Sequence, residues 1–270
     1  MKNKKAIVLC ECGIMIALAT VLSMIKLFAL PFGGSITAFS AVPLIVISYR
    51  RGIKCGLLSG LAYSIIQLIL DASVLSYATS LTAGIAIVFL DYIFAFTFIG
   101  LAGIFKIFND GNAINATAGT VLVCAIRYIC HVISGCTVWA GVSIPSSDGL
   151  IYSLSYNATY MIPETIVNAV VVYWLFSSLN FNSERIERAQ KQKKSLAATV
   201  LASVGVLSLA VSVIIDAITL FSKLQNEAGT LDFSLIGNVD PVFVSVVFAI
   251  GVVLCGVLLI ASKVVNKSKD

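Results

Sequence analysis

Charged residues are scarce in this chain. Asp, Glu, Lys and Arg make up 11% of 270 residues, whereas apolar types reach 59% and the mean hydropathy is +1.01. A soluble domain carries about a quarter of its residues as charges, so a water-soluble globular fold is excluded. Histidine is rarer still, with one copy, His131, and the seven cysteines at 10, 12, 55, 124, 130, 136 and 255 show no paired spacing with it. A zinc centre from Cys130, His131 and Cys136 would need ligands aimed in different directions around one helix, so buried small apolar residues are the plainer reading and no metal is expected. The two-residue alternation of a barrel strand is missing, as is any internal repeat of the inverted kind.

What the chain does have is long apolar runs. A hydrocarbon core of roughly 30 Å takes about 20 apolar residues per helical crossing, and lipid leaves the backbone no partner outside the segment, so each crossing is expected to be an α-helix. Residues 6–29, 38–50, 54–71, 81–105, 114–141, 150–178, 196–219 and 242–263 are the predicted spans, the second and third being short and separated by a turn at Arg50, Arg51, Gly52 and Lys54. The first run follows a basic start as a secretory signal would, but it is long and has no clean cleavage pattern. It is expected to be a retained helix.

Charge distribution tests that count. With the amino terminus in the cytoplasm, 15 of the 18 basic residues fall inside, leaving Lys26, Lys223 and Arg127, while Asp148, Glu227, Asp232 and Asp240 fall in outer loops. That asymmetry predicts a multi-pass protein of the cell membrane with both termini cytoplasmic. The net charge of +5 follows from this topology and gives no reason to invoke nucleic acid.

Ionisable residues inside spans are costly unless paired or facing a cavity. Those here are Glu11, Asp91, Arg127, His131 and Glu164. At about 1.5 Å per residue, Asp91, His131, Trp139, Tyr152 and Asn157 fall in the outer half, and Arg127 and Glu164 reach matching depth near the midplane, where an ion pair is expected. Arg127, His131, Gly135 and Trp139 recur every four residues; Asn157, Tyr160, Glu164 and Asn168 form a similar stripe on the next helix. Two such stripes on consecutive antiparallel helices are expected to face one cavity, with Gly135 leaving room for a ligand beside the backbone. Each residue also has a plainer reading: Trp139 as an interface residue, His131 as an interhelical hydrogen bonder, Arg127 with Glu164 as structural, Glu11 as reaching headgroups. Asp91, with Tyr92 beside it, needs a cation or several donors from elsewhere. Together the set suits a small aromatic heterocycle bearing positive charge or amino donors.

Four segments then carry a resemblance: residues 31–36 (PFGGSI), 90–96 (LDYIFAF), 127–139 (RYICHVISGCTVW) and 152–164 (YSLSYNATYMIPE). Through them the chain, over about residues 6–180, resembles the thiamine-specific substrate-binding (S) component of energy-coupling factor transporters. The resemblance implies a six-helix core over residues 1–180, while the charges and apolar runs beyond it predict a basic cytoplasmic linker at 181–195 and two additional helices within 196–270 that depart from the family's six-helix plan, the whole being an all-α polytopic membrane helical bundle. It implies that thiamine is bound from outside at high affinity through His131, Gly135, Trp139, Tyr152, Asn157 and Asp91, the last engaging the aminopyrimidine and followed by Tyr92. Phe39 and Tyr77 are candidates for a further aromatic pair.

It also implies partners, namely a transmembrane coupling (T) component and two ATPases. No GxxxxGK[ST] motif occurs here, so ATP is used by those subunits and no cofactor is expected on this chain. Gly13 and Ala17 form a small-xxx-small surface suited to docking a partner helix. Two other readings stand beside this one. The chain is an S component or a solitary proton-coupled carrier for another heterocyclic vitamin, using Glu164 or Glu11; or it is an intramembrane enzyme with His131 and Asp91 as acid and base.

Overall fold

A computed structural model describes residues 2–30, 33–78, 80–107, 113–140, 147–182, 186–188, 196–226 and 232–267. The chain forms two compact units, Met1–Glu187 and Arg188–Asp270. Among the described residues, seven helices are long and apolar enough to cross a membrane.

The first unit opens with α1 (Lys2–Met24), which ends sooner than its hydropathy suggests. Residues expected to prolong it instead form strand β1 (Lys26–Ala29), which pairs antiparallel with β2 (Ser35–Thr37) in the register Phe28↔Ile36 and Ala29↔Ser35. Gly33, at φ +101°, turns the chain between the strands, and Leu30 N–H donates to the Gly34 carbonyl at 2.6 Å. The cross-strand ladder satisfies backbone groups that a helix would otherwise satisfy, as non-helical backbone at membrane depth requires.

The expected second span, residues 38–50, is likewise corrected. Helix α2 (Val42–Arg51) has ten residues, about 15 Å at helical rise, and residues 42–49 are all buried. Its side chains pack against protein where a full crossing would meet lipid, forming with Ile99, Val123, Val172 and Phe176 the centre of the unit's core. The chain still returns to the end where it began, because Arg50 and Arg51 at the foot of α2 clasp Glu11 near the start of α1, at 3.0 and 2.5 Å. At the other end, Gln67 of α3 (Ile53–Leu70) donates to Ser23 of α1 at 2.9 Å. Extended β2, a turn and ten helical residues thus make the return that the hydropathy assigns to one helix.

The fourth span, Leu81–Lys106, is not one regular helix. It begins as α4 (Leu81–Ala86), widens to a π-helix over Ile87–Phe94, passes through α5 (Ala95–Thr97) and tightens to a 3₁₀-helix over Phe98–Ile107. Glycines bring it against α3: a Cβ at Gly100 would strike the backbone of Gly56 and Leu57, and one at Gly60 would meet the Phe96 carbonyl at 2.7 Å. Ser48 Oγ ties α2 into the same contact, donating to the Gly100 carbonyl at 2.5 Å and accepting from Gly103 N–H at 2.9 Å. Small residues at such crossings let backbones approach where the hydrophobic effect between helices is weak. The antiparallel pair α6 (Ala113–Ala140) and α7 (Ser147–Ser178) completes the unit.

The second unit is an antiparallel hairpin of α8 (Leu196–Leu224) and α9 (Pro241–Lys267), in which Ser262 Oγ near the end of α9 donates to the Ala198 carbonyl at the start of α8, at 2.6 Å. A Cβ at Gly251 would collide with Ser212, so this crossing too is set by glycine. Of the expected linker, residues 183–185 and 189–195 lie outside the described residues.

Candidate functional site

The first unit encloses a cavity of about 140 Å³, lined from the β1–β2 hairpin, α1, α3, the fourth span, α6 and α7. It lies toward the Ser23–Gln67 end, away from the Glu11–Arg50–Arg51 clasp.

Asp91 reaches this cavity from the π-helical stretch, a local irregularity often found at functional sites. Its partners come from α6. The His131 ring contacts Oδ1 through Nδ1 at 2.7 Å, and Ser134 Oγ donates to Oδ2 at 2.6 Å. His131 and Ser134 stand three residues apart and so share a face, which supplies the donors that Asp91 needs. His131 Nε2 is buried and has no hydrogen-bond partner among the described residues. With Nδ1–H donating to the carboxylate, a neutral ring leaves Nε2 as an acceptor.

The opposite wall comes from α7. Tyr152 and Tyr156 stack with rings 6.1 Å apart and 9° from parallel, and Tyr160 meets Tyr156 edge-on at 5.9 Å. Asn157 is held within that wall: its Nδ2 donates to the Ser153 carbonyl at 2.8 Å and to the His131 carbonyl at 3.3 Å, while Oδ1 accepts from Tyr160 O–H at 2.6 Å. Both amide protons are therefore used, and one acceptor pair remains on Oδ1. The hairpin covers this wall. Gly34 N–H donates to Tyr156 Oη at 3.2 Å, and a Cβ at Gly34 would stand 2.9 Å from both Tyr156 and Tyr160.

At the inner end of the cavity, Arg127 Nη1 donates to Glu164 Oε2 at 3.3 Å; both side chains are buried. Glu164 Oε1 accepts from Thr37 of β2 at 2.8 Å, and the guanidinium lies 5.0 Å from the centre of the Phe96 ring. The middles of α6 and α7 and the strand β2 are thus joined through one carboxylate. At the mouth, Lys26 and Asp71 form a looser pair at 3.8 Å.

Of the residues singled out in the sequence, Asp91, Tyr92, His131, Gly135, Tyr152 and Asn157 all line the cavity, with Arg127 and Glu164 beneath them. Gly135 has a different local role from the one expected, since the space where its Cβ would stand is taken by Ser153 Oγ of α7. It lets two helices close on each other more than it opens room for a ligand. Trp139 lies on α6, but its side chain falls outside the described residues, as do Pro31 and Phe32 of the PFGGSI segment. Asn168 continues the α7 stripe but is fully buried outside the cavity lining. Phe39 packs against the core, whereas Tyr77 lines the cavity. Glu11 does not reach for headgroups; it binds Arg50 and Arg51. Gly13 and Ala17 stand exposed on α1, with nothing within 4 Å of a Cβ placed on Gly13.

Sequence reasoning missed Ser134, Tyr156, Thr37 and the Lys26–Asp71 pair. Ser134 was discoverable, one turn from His131 on the same face. Thr37 left no trace, because its contact with Glu164 spans 127 positions of chain and depends on an unforeseen hairpin.

Comparison with known proteins gives concordant results. Residues 9–184 match the family model described as Thiamine transporter protein (Thia_YuaJ). The thiamine transporter ThiT of Bacillus subtilis is 33% identical over 186 residues, covering 65% of this chain and 93% of that protein. ThiT of Lacticaseibacillus paracasei is 26% identical over 184 residues, covering 63% of this chain and 87% of its own length. In fold, the first unit is like a solved structure of ThiT from Listeria monocytogenes, with a TM-score of 0.52 at 24% identity over 64% of this chain and 95% of that one.

Proposed function

The chain belongs to the thiamine transporter protein family, and from that premise we propose that it binds thiamine from outside the cell as the substrate-binding component of an ATP-driven energy-coupling factor importer. The observation that carries this reading is the charge balance of the cavity. Arg127 offsets Glu164 and Lys26 offsets Asp71, while Asp91 is bonded to the His131 ring and the Ser134 hydroxyl and has no arginine or lysine beside it among the described residues. With the imidazole neutral, the described lining keeps one negative charge on Asp91, which would match the single positive charge of a thiazolium.

Roles follow from the atoms each residue has to spare. Asp91 supplies the counter-charge and retains lone pairs for the amino group of the aminopyrimidine. His131 Nε2 accepts from a ligand donor, and Asn157 Oδ1 offers a second acceptor. Tyr152 and Tyr156 give a flat wall for a ring, with Tyr92 behind Asp91 and Trp139 stacking from the outer end of α6. Gly135 brings α6 and α7 close enough for Asn157 Nδ2 to reach the His131 carbonyl. Arg127 and Glu164 form the floor and serve structure.

Basic residues gather at the end of the first unit opposite the cavity, which supports a cytoplasmic placement for that end and for the amino terminus, and Lys263 and Lys267 at the end of α9 support the same for the carboxyl terminus. The exposed small surface at Gly13 and Ala17 is where a coupling component's helix would dock, and two ATPase subunits would supply the energy. Residues 1–180 form the binding domain in this reading, 181–195 a cytoplasmic linker, and 196–270 an added membrane hairpin. The family is one of transporters and not of enzymes, so the Asp91–His131 pair serves binding. A solitary proton-coupled carrier is disfavoured because Glu164 and Glu11 are both held by arginines.

Uptake of labelled thiamine into proteoliposomes tests the proposal. Accumulation should require coupling subunits and internal ATP and should persist with a protonophore; accumulation by this chain alone, lost with the protonophore, would overturn it.

A further inference from the structure

The pair at the cavity mouth is built differently from the pair at its floor. Arg127 and Glu164 are buried together, with Thr37 bonded to the same carboxylate, so neither can turn away without stranding a charge. Lys26 of β1 and Asp71 at the end of α3 also line the cavity, but at 3.8 Å and with side chains 45% and 40% exposed. An exposed pair of that length holds its members weakly, and the ammonium can exchange one anion for another at little cost.

The floor is closed by groups already bonded to one another, and the walls are shaped for rings. A flexible substituent on a bound heterocycle is left with the mouth. If the ligand is thiamine, on which this inference rests, that substituent is a hydroxyethyl tail, or in the ester a phosphate bringing between one and two negative charges (P–O acceptors around pH 7). Asp71 repels such a group and occupies the cation that would receive it.

We propose that the Lys26–Asp71 pair sets the discrimination between the free alcohol and its phosphate ester, with Asp71 holding the ester off and Lys26 the group that would bind it. With both present the mouth is neutral and the cavity as a whole favours a cation. Without Asp71 the ammonium is free to bind phosphate; without Lys26 an uncompensated carboxylate faces the tail.

The test titrates full-length protein in nanodiscs with thiamine and thiamine monophosphate, comparing wild type, Asp71→Asn and Lys26→Gln. The asparagine is nearly isosteric, and the backbone bonds linking Asp71 to Gln67 and Val74 are untouched by the change. The ratio of monophosphate Kd to thiamine Kd should fall roughly three- to tenfold in Asp71→Asn and rise by a similar factor in Lys26→Gln, as expected when an exposed pair is worth up to about fivefold for each ligand. Both shifts should shrink in about 0.5 M salt. A ratio unmoved in both variants, or moved in one direction by both, overturns the assignment of the mouth while thiamine binding stands. Wild type that binds neither ligand overturns the thiamine reading as well.

Discussion

Asp91 shows how a carboxyl group is given partners within an apolar helix bundle. Alone it would be among the least tolerable residues of the fourth span. His131 and Ser134 supply one donor to each of its oxygens, and the π-helical stretch turns it toward them. Ser134 is fully buried and its hydroxyl has no other acceptor among the described residues, so its contribution can be isolated. Ser134→Ala removes one hydrogen bond to a charged group and should weaken thiamine binding by about 1.5–3 kcal/mol, roughly ten- to a hundredfold. Calorimetric titration measures this directly, and an affinity within twofold of wild type would mean that Asp91 does not depend on that donor.

Helices of this molecule are positioned by what their residues omit as much as by what they bury. Gly56, Gly60 and Gly100 bring α3 and the fourth span into backbone contact, and that closeness holds Asp91 at the depth of His131. Gly100→Ala forces a methyl into the Gly56 backbone and should destabilise the protein by about 1–3 kcal/mol, read as an earlier thermal transition in detergent. Thiamine should recover part of the loss, since a ligand that binds only the folded state raises its apparent stability.

Much of this was legible in the sequence and some was not, for identifiable reasons. Long apolar runs revealed all seven membrane-length helices of the described residues, and the four-residue stripes put Asp91, His131, Tyr152 and Asn157 on one cavity, because helical period and depth are local properties. The hairpin and the short α2 escaped. Hydropathy cannot distinguish residues buried by protein from residues facing lipid, and residues 42–49 are apolar for the former reason. The clasp of Glu11 by Arg50 and Arg51 escaped for a related cause: each is ordinary at a membrane boundary, and only the return of the chain to that end brings them together.

On the scale of the whole chain, the cavity belongs wholly to the first unit, and the family match ends at residue 184, before α8 begins. The Bacillus subtilis relative is covered over 93% of its length by 65% of this chain, leaving no counterpart for both terminal helices. A chain truncated after residue 187 should therefore bind thiamine with unchanged affinity; loss of binding by a truncated protein that still unfolds cooperatively would place part of the site in α8 and α9.

The central claim is that the cavity captures a cationic heterocycle through the Asp91 carboxylate. Its most direct measurement is a calorimetric titration of thiamine into full-length wild type and Asp91→Asn side by side. We expect saturable one-to-one binding by wild type and at least about a thirtyfold loss in the asparagine protein, the lower range for removing one partner of a buried charge interaction. Equal affinity in the two proteins would contradict the claim.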